Sequence, residues 1–152
     1  MKYIKPMKSV IRQLPAAHLN ALEKHRSKVN YEISRRGLGS HMNDTKWSEL
    51  VAAIDTMPFD PPYQRKDILD SEPQPVNFDK DVTYTGDYHD PQSIYPFYSI
   101  EWIRIRPRTL NYVAALLPYK LQDCETQLLK SLDKIGQHYE LRDESIWIYG
   151  YK

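Results

Sequence analysis

The run Phe97-Tyr-Ser-Ile-Glu-Trp-Ile-Arg-Ile-Arg106 constrains this chain most. β-Branched and aromatic residues dominate it and its side chains alternate with a period of two, which predicts a strand with two different faces. Ile100 and Trp102 share one face with Arg104 and Arg106, while Ile103 and Ile105 share the other with Glu101. Pro107 stops it. A second run of this kind, Ser145-Ile-Trp-Ile-Tyr-Gly-Tyr151, ends the sequence. A compact sheet with helices on one face is the natural setting for such strands.

The segments between and before these strands read as helices. Pro15 suits a first helical turn, Leu19, Leu22, Val29 and Ile33 follow near one face, and Gly37 and Gly39 accept a helix stop. This predicts a basic helix over 14–36. Asn43, Asp44 and Thr45 offer capping oxygens ahead of Trp47, Leu50, Val51 and Ile54, which fall at i, i+3, i+4 and i+7. Thr109 can cap a helix over 110–117 closed by Pro118, and another starts near Asp123, buries Leu128, Leu129, Leu132 and Ile135, and stops at Gly136. Five prolines over 58–75 make a rigid irregular connection, with a turn or short strand at 65–69. Loose alternation at Val76, Phe78, Val82, Tyr84 and Tyr88 suggests one or two strands. The expected fold is α+β: a small mixed or antiparallel sheet, helices mainly on one face, and an N-terminal basic helix. If the strands at 97–106 and 145–151 are parallel neighbours, the connection between them is right-handed.

Charge divides the chain. Residues 1–41 hold nine basic against two acidic side chains, a surplus of +7, and residues 42–152 hold twelve against eighteen, a balance of −6. The break coincides with Gly39-Ser40-His41-Met42, a tetrapeptide that expression vectors also leave ahead of a start methionine. Residues 1–41 are thus either a native basic helical leader or a foreign extension, and 42–152 form a single α+β domain. With 152 residues the chain can bury a core unaided, and its one cysteine, Cys124, cannot form an internal disulfide. No signal peptide precedes Pro15 and no apolar run approaches the ~18 residues of a membrane span, so the expected location is the cytoplasm.

Several short pieces resemble a family of small bacterial proteins classed as a domain of unknown function. They are Thr45-Lys46-Trp47 with Glu49-Leu50, Lys66-Asp67, Ile100-Glu101-Trp102-Ile103 with Ile105, and Ile148-Tyr149-Gly150-Tyr151. The resemblance spans residues 42–152 and implies a start at Met42; it implies no activity.

The candidate chemistry is sparse. Neither Gly-rich phosphate loop pattern occurs. His89 beside Asp87 and Asp90 reads as an acidic loop before it reads as a metal site. Cys124 has no adjacent base and reads as packing. Asp79 with Asp81, or Glu101 beside Trp102, could serve acid–base chemistry, but they read as a solvated face first. We expect no catalytic residues, cofactor or metal. Arg104, Arg106 and Arg108 could contact phosphates together with the basic helix, or could salt-bridge to the acidic part of the chain. Residues 42–103 carry twelve acidic and four basic side chains, a balance of −8, interleaved with Tyr63, Tyr84, Tyr88, Tyr95 and Tyr98. With Asp87 and Glu101, this suits capture of a basic protein, since complementary charge speeds encounter and tyrosines anchor interfaces. The expected function is a non-enzymatic protein-binding domain, immunity- or antitoxin-like, that occludes a basic partner such as a toxin. The alternatives are a nucleic-acid-associated protein or an enzyme with an unrecognised pocket.

Overall fold

The computed structural model describes residues 15–80, 96–111 and 113–152. Helix α1 (Ala16–Arg36) ends at Gly37, whose φ of 66° is left-handed and whose neighbour Leu38 donates back to the Ile33 carbonyl at 3.0 Å. Helix α2 (Asp44–Asp55) starts under an Asn43 cap, whose side chain accepts from the Lys46 N–H at 2.8 Å. Strand β1 (Tyr63–Asp67) follows. A short 3₁₀ turn (Phe97–Ser99) leads into β2 (Ile100–Ile105). Then come β3 (Arg108–Asn111), β4 (Lys120–Asp123), helix α3 (Glu125–Lys134), β5 (Glu140–Arg142) and β6 (Ser145–Tyr149).

The main sheet runs β1-β2-β6-β5, and every pairing in it is antiparallel. The two strongest sequence strands, β2 and β6, are its central pair, with Ile103 opposite Ile148 and Arg104 opposite Trp147. They are antiparallel neighbours, so the right-handed parallel crossover does not arise. One face carries Ile103, Ile105, Ile146 and Ile148, all buried, and α2 and α3 cover it with Trp47, Leu50, Ile54, Leu128 and Leu132. The helical spacing at Trp47, Leu50, Val51 and Ile54 thus serves the expected purpose. The opposite face carries Trp102, Arg104, Trp147 and Tyr149.

Two expectations need correction. The described residues of 110–117 form no helix: Arg108–Asn111 pairs with Lys120–Asp123 as a separate two-stranded antiparallel ribbon, with Leu110 opposite Leu121. A helix there would have to bury Val113 and Leu117, and both instead stand about half exposed at the ribbon's tip. Val76–Lys80 is a succession of turns, not a strand, and seats Phe78 in the interior; residues 82–89 lie outside those described.

Helix α1 belongs to the packed structure at its C-terminal half. Val29 is fully buried, and residues 39–41 run beside the end of the chain: Gly39 and Lys152 exchange two backbone hydrogen bonds of 3.0 Å, and His41 N–H donates to the Gly150 carbonyl at 2.8 Å.

Candidate functional site

The arginine row is spent inside the molecule. Strand alternation puts Arg104 opposite Gln64 and Trp147 on the non-helical face. Its guanidinium, only 6% exposed as a residue, donates to Gln64 Oε1 and Asp79 Oδ1, each at 2.8 Å, and lies over the Phe78 and Trp147 rings at 4.6 and 5.3 Å. Arg106 also stands over the Phe78 ring at 4.5 Å and donates to the Phe78 carbonyl at 3.0 Å. Arg108 holds Asp123 at 3.2 Å, Glu125 at 3.3 Å and the Glu144 carbonyl at 2.8 Å. The stack continues outward, with Arg142 over Trp147 at 4.2 Å and Lys152 over Tyr149 at 4.7 Å. This alternation of cations and rings braces the sheet.

Glu101 is buried where β2 bulges against its neighbours. Its carboxylate pairs with Arg36, from the last turn of α1, and with Lys66 of β1 at 3.1 Å. Two cations hold it, so it ties α1 to the sheet. Tyr63 is a core ring, buried among the isoleucines, and not a surface anchor. Tyr98 docks α1: its hydroxyl lies 2.7 Å from His25 Nδ1, and Arg26 stands over its ring at 5.2 Å. Tyr84, Asp87, Tyr88 and Tyr95 fall outside the described residues, as do Asp81, His89 and Asp90. Of the expected contact residues, Tyr63, Tyr98 and Glu101 are therefore used internally, and the structure does not bring them together on one surface.

Cys124 sits buried at the N-terminus of α3, where burial and the neighbouring Asp123 push its thiol up to about 11. A thiol so protonated is a poor nucleophile. Among the described residues no group of His, Cys, Asp and Glu is placed to hold a metal ion, and no helix is long and apolar enough to cross a membrane.

The feature that sequence reasoning missed is the β3–β4 ribbon. Val113, Leu116, Leu117, Tyr119 and Leu121 each expose half or more of their surface within nine residues, and Leu116 is completely exposed. Leu116 also has a φ of 68°, in the left-handed region. A non-glycine residue there costs on the order of 1 kcal/mol. Glycine or asparagine would remove that cost, and the leucine side chain packs against nothing in return. At the root, Asp123, Glu125 and the 143–144 turn collect around Arg108. The signal is the apolar run itself: Thr109 and Pro118 frame it as a helix, but Asn111, Val113 and Pro118 suit a ribbon and its turn as well.

No curated protein and no solved structure matches the chain. One family model does match, over residues 29–152, and it begins inside α1, taking in Val29, Arg36 and the 39–41 segment with the rest of the fold. The chain therefore belongs to DUF6678, a family of unknown function.

Proposed function

We propose that this protein is a non-enzymatic protein-binding domain and that the β3–β4 ribbon is its contact element. One observation carries the reading: Leu116 is wholly exposed and held at a positive φ, so the fold tolerates both an unfavourable backbone and an unburied leucine at the ribbon tip. Exposed apolar patches on small proteins characteristically mark contact sites. The acidic balance of residues 42–103 and the acidic groups at the ribbon root support a basic partner, as in an immunity- or antitoxin-like protein that occludes a toxin. We place the protein in the cytoplasm, where a lone reduced cysteine is ordinary.

The nucleic-acid reading has less support, because Arg104, Arg106 and Arg108 are engaged with Asp79, Phe78, Asp123 and Glu125. It retains the basic side chains of residues 1–41.

The test is affinity capture from native host cells with the wild-type chain and the Leu116→Asp/Leu117→Asp variant in parallel. The reading expects a basic protein retained by the first and lost from the second, with unchanged melting curves. Identical retention by both chains would remove the ribbon from the proposal.

A further inference from the structure

We infer that the outer edge of β4 pairs with β4 of a second copy of this chain, joining two ribbons into one four-stranded antiparallel sheet. The inference rests on the ribbon being a contact element and names what occupies its edge.

Backbone geometry comes first. Cys124 N–H donates to the Pro107 carbonyl at 2.8 Å, so position 124 turns its peptide groups inward, towards β3. The direction alternates along an antiparallel strand, so Gln122 and Lys120 also turn inward while Leu121 and Asp123 turn outward. Among the described residues no backbone group bonds to that outer edge, and the ribbon has only two strands. A two-stranded ribbon is marginal by itself, and an open edge is a template for another strand.

Chemistry then selects the occupant. A two-fold axis normal to the sheet places each residue opposite one of the same parity, so a four-residue strand has one register per central residue. Centring on Lys120 sets ammonium against ammonium, and centring on Asp123 sets carboxylate against carboxylate. Centring on Gln122 sets Leu121 against Asp123. Centring on Leu121 sets Leu121 against its own copy and Lys120 against the Gln122 amide. It also makes Leu121 a pair that exchanges both hydrogen bonds across the axis. Because Leu110 lies opposite Leu121 within each ribbon, the result is an unbroken row of four leucines on one face. The edge thus has one self-complementary register.

The area agrees. Val113, Leu116, Leu117, Tyr119 and Leu121 expose roughly 500 Å² of apolar surface between them, about the apolar share of the ~800 Å² each partner gives to a stable interface. In the antiparallel arrangement each tip extends along the root of the other ribbon, which brings that surface into the contact.

Sedimentation equilibrium of the full chain, from about 1 to 200 μM, tests this. The wild type is expected to reach twice its 18.0 kDa chain mass. Leu121→Lys and Leu121→Glu should each stay at single mass with unchanged circular dichroism, and their equimolar mixture should regain the double mass. Only a contact between the two 121 positions gives that rescue. As a second readout, Leu121→Cys should form an intermolecular disulfide on mild oxidation, since about 5.5 Å between paired α-carbons suits one. A wild type at single mass throughout, a dimer indifferent to Leu121→Lys, or a mixture that stays monomeric would each overturn the pairing. A monomer that still captures a basic protein in a Leu116-dependent way would refute the second copy alone; a dimer that captures none would refute the basic partner alone.

Discussion

Gly150 lies against Ile100 so closely that a β-carbon built on it would collide with the Ile100 carbonyl oxygen and press on the Trp47 ring. The crowding has a local cause. Gly150 N–H donates to the Glu101 carbonyl and its own carbonyl accepts from His41, so it is clamped between β2 and the 39–41 segment. Gly150→Ala should destabilise the protein by about 2–4 kcal/mol, through forced displacement of backbone and not through loss of any contact. Urea unfolding followed by tryptophan fluorescence would measure it. A change under 0.5 kcal/mol would show that the strands are not held this close.

Removing the Glu101 carboxylate should be costly out of proportion to its size. Glu101→Ala leaves Arg36 and Lys66 facing each other with no counter-charge, and breaking a buried pair from one side costs about 3 kcal/mol or more. Arg36→Ala should cost less, because its side chain is a third exposed and Lys66 still balances the carboxylate. The ordering of the two variants in thermal denaturation is the check; a reversed order would mean the ion group contributes nothing as a unit.

Cys124 gives the stability an alkaline limit. Its thiol ionises at about 11 when folded, against 9.0 as the ordinary value, so between these the fold binds the proton more tightly than the unfolded chain. The contribution is therefore complete below about pH 9 and is lost as pH rises towards 11, on the order of 2 kcal/mol in all. Tyr151, raised by burial from an ordinary value of 10.0, acts in the same direction above that pH. Stability measured between pH 9 and 11 should fall less steeply in Cys124→Ala than in the wild type. Parallel slopes would show that the thiol is not protected.

Leu116→Gly should raise stability while lowering association. Glycine accepts the positive φ at no steric cost, and removing a wholly exposed side chain forfeits no packing, so a gain of about 0.5–1 kcal/mol is expected despite the greater freedom of the unfolded chain. Melting temperature read beside captured partner or dimer would show the two moving in opposite directions. Movement together would mean that the leucine packs within its own fold.

The parts of the fold legible in the sequence are those set by local period. Trp47, Leu50, Val51 and Ile54 describe a helix face by themselves, and β2 and β6 announce themselves by composition. β1 is different: Gln64, Arg65, Lys66 and Asp67 show no apolar alternation, so the sequence offers only a turn or short strand near 65–69, and the strand at Tyr63–Asp67 exists because β2 offers a backbone to pair with. The ribbon is not legible because a capping Thr109 and a closing Pro118 frame a helix-length apolar segment, while local pattern records nothing about whether a surface exists for the helix to cover. Salt bridging to the acidic part of the chain is one fate the sequence offers the arginines, but it does not say with which residues. Their partners, Gln64, Phe78, Asp79 and Glu125, stand well away along the sequence, and only the folded register brings them together. The element now proposed for contact was thus readable as apolar but not as exposed.

The strand order β1-β2-β6-β5 also has a consequence for synthesis. The inner edge of β2 is closed by β6, which a ribosome delivers only after β3, β4, α3 and β5 have been made. Until Ser145–Tyr149 emerges, the Ile103 and Ile105 row has a strand on one side only, and α2 has half a sheet to rest on. At about 5–20 residues per second, the stretch between β2 and β6 keeps that edge open for several seconds. During that interval the nascent chain exposes its most adhesive strand and its apolar ribbon together, so its demand for chaperones should be set by elongation rate across residues 106–149.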